Sequence, residues 1–152
     1  MKNVKWLIIL CISSLVLFNY NKPIKPEHIY TINNVMDKII QVESGGNPDA
    51  IGRDGEVGLC QLTPAAVEQV GYNWIRVCKS PNYNRQCGEA YLQWCLDRFP
   101  DRIGGDRWFM AVCTYNWGIG NMCKYERGEH QIPNSVCEYA YKVLGERTSY
   151  DN

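Results

Sequence analysis

Neither sign of charge is in excess in this chain of 152 residues, where sixteen Lys and Arg are matched by sixteen Asp and Glu. A nucleic-acid binder needs a surplus of basic side chains to displace counterions, so the balance argues against that function class. The same balance gives no long-range pull toward an anionic polymer, and recognition has to be local. Histidine is scarce: His28 and His130 are the only two, and they lie far apart. No Cys-x-x-Cys pair occurs either, so the ligand spacings of a structural zinc site are missing. Repeats and low-complexity stretches are absent, which leaves one compact domain as the expected organisation. The apolar run near the N-terminus, from Trp6 to Phe18, has thirteen residues, fewer than the roughly twenty of a membrane-spanning helix.

That run has a different use. Lys2 and Lys5 precede it, which is the charged-then-apolar order of a secretory signal. Asn19, Tyr20, Asn21, Lys22 and Pro23 follow, and none of them forms a small-x-small cleavage site. Residues 1–20 are therefore expected to act as an export signal or signal-anchor that stays attached. Residues 21–30, with Pro23 and Pro26, form a tether, and residues 31–148 form the folded domain. The expected location is the periplasmic or cell-wall space, with a tie to the inner membrane through the apolar segment, and the expected form is a monomer. The cysteines fit that destination, because disulfides persist in oxidising compartments. Seven lie in the body and Cys11 lies in the apolar run, so one body thiol is left over or pairs with Cys11. Cys78 and Cys87 are the expected local disulfide. Cys11 would serve either as one more apolar signal residue or as a thiol that exchanges with a disulfide near Cys60 or Cys113.

Periodicity predicts a mainly α fold of the α+β lysozyme-like kind, with helices around a groove and a small hairpin or turn region. Ile32, Val35, Met36, Ile39 and Ile40 share one helical face. Thr31 caps that helix and Gly45-Gly46 end it. Residues 47–62 are glycine-rich, with Arg53-Asp54-Gly55 as the tight point of a turn. Thr63-Pro64 opens a helix that stops at Gly71. Residues 73–88 read as irregular. Further helices are expected over Glu89 to Phe99, Asp106 to Tyr115 and Asn134 to Leu144, the last closed by Gly145.

Glu43 is the side chain that does not suit a plain core helix. It follows Ile40 by three residues, Ile39 by four and Met36 by seven, so its carboxyl shares the apolar face. It also sits in the last turn, where unpaired carbonyls disfavour a negative charge. Burial and the helix end both raise a carboxyl pKa, and an acid kept neutral can protonate a glycosidic oxygen. Position alone is equally satisfied by a buried, hydrogen-bonded Glu that does no chemistry.

The surrounding segments decide between these readings. Glu43-Ser44-Gly45-Gly46-Asn47-Pro48, Gly58-Leu59-Cys60-Gln61-Leu62-Thr63-Pro64 and Ala111-Val112-Cys113-Thr114-Tyr115-Asn116-Trp117-Gly118 resemble, in order and spacing, the three motifs of the transglycosylase SLT family. That family belongs to the goose-type lysozyme superfamily, and the resemblance runs from Ile32 to Gly120. It implies that Glu43 is the catalytic acid and that Ser44 orients it or the substrate. It makes Gln61 the groove glutamine that hydrogen-bonds sugar, and Tyr115 the tyrosine whose hydroxyl reaches the catalytic carboxyl. Asn116 then lines the same groove. The plainer alternatives are a helix-end Ser44, a surface Gln61, a core Tyr115 and an Asn116 helix cap. Cys60 and Cys113 depart from the family pattern, either as small buried hydrophobes or as an added disulfide.

The loop acids Asp49, Asp54 and Glu56 occupy no motif position and read as surface turn residues. With no second carboxylate placed, the resemblance implies a lytic transglycosylase. Glu43 protonates the bond between N-acetylmuramic acid and N-acetylglucosamine in peptidoglycan, and the C6 hydroxyl then closes a 1,6-anhydro ring. No metal or organic cofactor is required. The competing readings are a hydrolytic muramidase that uses water and a loop acid, a glycan-binding module without catalysis, and a disulfide-rich structural domain.

Overall fold

The structure, a computed structural model, describes residues 30–102 and 104–145. The expected export segment with Cys11, and all of the expected tether except Tyr30, lie outside the described residues. Among the described residues are seven helices: α1 (Ile32–Glu43), α2 (Pro64–Gln69), α3 (Trp74–Lys79), α4 (Pro81–Asp97), α5 (Gly104–Trp117), α6 (Ile119–Glu126) and α7 (Asn134–Leu144). Extended pairing among them is limited to two antiparallel bridges, Ile51 with Val57 and Val57 with Leu62. The expected mainly α architecture with a small turn region is what forms.

Local chemistry accounts for the helix boundaries. Thr31 Oγ1 accepts from the Asn34 amide at 3.2 Å, and Asn34 Oδ1 accepts from the Thr31 amide at 2.9 Å, a reciprocal cap. At the far end Gly45 and Gly46 take φ of +62° and +82°, a region where a β-carbon is strained. Thr63 and Pro64 open α2 as expected. The expectation for residues 73–88 needs correction, because they hold α3 and the first half of α4. Asn73 Oδ1 accepts from the Arg76 amide at 3.1 Å to start α3. Ser80 Oγ accepts from the Tyr83 amide at 3.3 Å, with Pro81 in the first helical position of α4. The expected helix from Glu89 is thus the second half of a longer one. Gly118, at φ +82°, separates α5 from α6, a helix that the sequence reading did not anticipate.

The helices α4 and α5 form the centre. The helix α5 packs against α4, α6 and α7, while α1 packs against α4 and α7. The α1 stripe is buried as expected, with Met36 and Ile39 fully enclosed beside Val35 and Ile40. Each such aliphatic side chain contributes about 1.5–3 kcal/mol of burial free energy. Leu92 and Leu96 from α4, Ala111 and Val112 from α5, and Val136, Ala140 and Val143 from α7 join that stripe in the core. This packing places the C-terminal end of α1 beside α7 and under the loop that runs from 44 to 62.

Candidate active site

Glu43 closes α1 on its inward face and is half-buried. Tyr139 of α7 donates its hydroxyl to Glu43 Oε1 at 2.6 Å. Loss of hydration on burial raises the Glu43 pKa above the ordinary carboxyl value, and the nearby Glu56 charge pushes the same way; the Tyr139 hydrogen bond opposes both. Burial likewise holds the Tyr139 phenol well above its ordinary pKa, so at neutral pH it remains a donor.

Ser44 connects α1 to the loop. Its Oγ lies 2.8 Å from the Leu59 carbonyl and 3.2 Å from the Ile40 carbonyl, and it accepts from the Gly46 amide at 3.2 Å. Gln61 adopts φ +43°, the single non-glycine residue with positive φ among those described. Its Nε2 donates to the carbonyls of Ala50 at 3.1 Å and Gly58 at 3.0 Å. Both amide hydrogens are therefore used within the loop, and Oε1 is the atom it can offer to a ligand. A β-carbon on Gly52 would meet both the Glu56 carboxyl and Gln61 Oε1, so these two groups converge over that residue. Asn116, the next residue after Tyr115 on α5, is exposed.

Two expectations are corrected. Tyr115 is nearly enclosed, 8% exposed, and its hydroxyl donates to the Cys60 carbonyl at 3.0 Å. The hydroxyl on the acid belongs to Tyr139, which sequence reasoning missed. The available signal was its place on α7: it follows Val136 by three residues and precedes Val143 by four, so a polar-headed aromatic shares the apolar stripe. The expected Cys78–Cys87 disulfide does not form. Both are free thiols, because α3 turns Val77 inward and leaves Cys78 exposed, whereas Cys87 faces the core. The same holds for Cys60 and Cys113, which are buried free thiols. Cys60 packs as a small apolar group with its Sγ 3.5 Å from the Met36 sulfur. Among the described residues, no cluster of three or more His, Cys, Asp or Glu side chains is placed to hold a metal ion.

A carboxyl with a raised pKa at a helix end, held by a phenol beside the loop from 44 to 62, is an arrangement suited to general acid chemistry on a small helical domain. The chain belongs to the Transglycosylase SLT domain family, whose pattern it matches over residues 24–135. It is similar to the membrane-bound lytic murein transglycosylase F of Pasteurella multocida, with 34% identity over 87 residues, 56% of this chain and 17% of that protein. The protein of the same name from Maricaulis maris is 38% identical over 81 residues, 53% of this chain and 17% of its own length. The one from Yersinia enterocolitica is 32% identical over 120 residues, covering 75% of this chain and 24% of the relative. The chain thus spans a quarter or less of the relatives it matches.

Proposed function

We propose that this chain cleaves the β-1,4 bond between N-acetylmuramic acid and N-acetylglucosamine in peptidoglycan as a lytic transglycosylase, with Glu43 as its single catalytic carboxyl. The observation that carries this reading is the half-buried Glu43 with its raised pKa, set in an SLT domain. Glu43 gives its proton to the glycosidic oxygen as that bond breaks and the leaving sugar departs as an alcohol. The substrate's acetamido group stabilises the cationic carbon. The Glu43 carboxylate then removes the proton of the C6 hydroxyl, whose oxygen closes the 1,6-anhydro ring. Tyr139 holds the carboxylate between the two proton transfers, Gln61 Oε1 accepts from a sugar N–H or O–H, and Asn116 borders the groove. Ser44 serves the acid indirectly, by fixing the helix end to Leu59.

The activity belongs outside the cytoplasm, where peptidoglycan lies. The relatives are named membrane-bound, and a tie through Trp6 to Phe18 gives this chain the same setting. Among the described residues no helix is long and apolar enough to cross a membrane.

One observation favours a hydrolytic second reading: of the loop acids Asp49, Asp54 and Glu56, it is Glu56 whose charge acts on Glu43. Digestion of peptidoglycan in oxygen-18 water, followed by mass spectrometry, separates the two. Anhydro-muramic ends without the heavy isotope are expected, whereas reducing ends carrying it at C1 would make the enzyme a muramidase. Glu43→Gln, nearly isosteric and unable to donate a carboxyl proton, should lose about 10²–10⁴-fold in turnover. Retention of most activity would overturn the assignment of the acid.

A further inference from the structure

The helix α4 carries a stripe that is not the usual apolar one. Asn84, Cys87, Gly88 and Tyr91 fall at offsets of zero, three, four and seven, and all four are buried. Asn84 is only 1% exposed, and its hydrogen-bonding capacity is directed chiefly at one short stretch of backbone. Its Oδ1 accepts from the Cys60 amide at 3.0 Å. Its Nδ2 donates to the Val57 carbonyl at 3.0 Å and lies 3.5 Å from the Val77 carbonyl.

Following the peptide planes shows what this does. The plane joining Leu59 to Cys60 is tied at both ends, its carbonyl to Ser44 Oγ at 2.8 Å and its N–H to Asn84 at 3.0 Å. The next plane is tied in the same way: the Cys60 carbonyl accepts from Tyr115 at 3.0 Å, and the Gln61 N–H donates to the Gly58 carbonyl at 3.2 Å. The side chain of Cys60 has as little freedom. A β-carbon on Gly88 would lie 2.6 Å from its Sγ and 2.9 Å from its Cβ, so α4 has given up a side chain to admit it. Tyr91 of the same stripe packs on Tyr115, with ring centroids 5.3 Å apart, and so steadies the second donor. Gly58 fits because it has no β-carbon, which would collide with the Asn84 amide.

We infer that Asn84 is a positioning residue for the reaction: through the Leu59–Cys60 peptide it sets the distance between the helix end bearing Glu43 and the left-handed Gln61 that meets the sugar. The inference rests on the proposed function for its catalytic consequence, and on the hydrogen bonds above for its geometry. A residue of another type cannot serve. Leucine would leave the Cys60 N–H unpaired in the interior and strip the Val57 carbonyl of its side-chain donor, leaving it the Leu62 amide alone. Aspartate would keep the acceptor for Cys60 but turn a negative oxygen toward two carbonyls. Glu43 itself stands on α1 and is held by Tyr139, neither of which depends on Asn84. Displacement of the loop therefore weakens substrate binding at Gln61 and leaves the acid in place.

The test compares wild type with Asn84→Ala and Gly88→Ala, the second of which displaces Cys60 without removing any hydrogen-bonding group. Amide hydrogen exchange should show loss of protection at Cys60 and Gln61, with α1 and α5 still protected. On soluble peptidoglycan fragments, KM should rise about tenfold, the equivalent of one lost sugar hydrogen bond, with kcat within about twofold and the pH profile unmoved. A residue that merely supports the fold would lower the active fraction, so kcat would fall at constant KM, and that result would overturn the inference. Unchanged Cys60 exchange in Asn84→Ala would also overturn it, as would global loss of protection in both variants. If the exchange result holds but wild type turns over no peptidoglycan, the clamp stands and the proposed function fails.

Discussion

Replacing Tyr139 by Phe removes one oxygen and leaves the ring packing in place. The lost contact is the 2.6 Å hydrogen bond to Glu43 Oε1. Because the phenol donates, it favours the ionised carboxylate, and its removal must raise the Glu43 pKa further. A hydrogen bond to a charged group contributes about 1.5–3 kcal/mol. Both side chains are half-buried, so solvent screening places the effect at the lower end. At about 1.4 kcal/mol per pH unit, the alkaline limb of kcat/KM should move up by about one unit. Glu56→Gln supplies the opposite sign: it removes a neighbouring negative charge that now raises Glu43, so the limb should move down. The other groups acting near the acid, Tyr115 from α5 and Cys60 from the loop, have pKa values raised by burial and stay neutral in this range. The assay is the pH dependence of muropeptide release by each variant. A limb that stays fixed in Tyr139→Phe, or that moves the same way in both variants, would refute the claim that these two groups bracket the acid.

Two further outcomes follow from the same chemistry. The raised pKa means that the native state favours protonated Glu43, so this carboxyl's contribution to stability is complete below the ordinary value of 4.5 and is lost as pH rises through the raised one; Glu43→Gln should melt a few degrees above wild type at neutral pH and equally with it in acid, as calorimetry across pH would show. Cys78, exposed on α3, should react with a maleimide in the folded protein. Cys60 and Cys113, whose thiols burial pushes up to about 12, should react only after unfolding, and early labelling of either would contradict the packing described.

The N-terminal half of the site was legible because α1 announces itself. Its cap, its apolar stripe and the anomalous place of Glu43 on that stripe are all local, and the structure keeps them. The stretch from 73 to 88 was opaque for a physical reason. The inward face of α4 is occupied there by Asn84 and Gly88, which bind backbone rather than fill a core, so the apolar period that reveals a helix is missing. The identity of the phenol on the acid was hidden by distance along the chain. Tyr115 sits inside a motif, but the hydroxyl that reaches Glu43 comes from 96 residues downstream. Only the packing of α7 on α1 brings it there.

The loop from 50 to 62 owes its path to its carbonyls. Those of Ala50 and Gly58 are taken by Gln61, that of Val57 by Asn84, that of Leu59 by Ser44 and that of Cys60 by Tyr115. A loop fastened by its main chain leaves most of its outward side chains without structural duty. Ile51 is 79% exposed, and Arg53 and Asp54 at the turn are exposed as well. Ile51, Arg53 and Asp54 can be exchanged, in divergence or by grafting, while Gly52, where a β-carbon would meet Glu56 and Gln61, and Gly55, at φ +90°, keep the backbone on its course. The side chains at 51, 53 and 54 are accordingly the natural place to build recognition of cross-links, stem peptides or sugar modifications into this scaffold without rebuilding its chemistry.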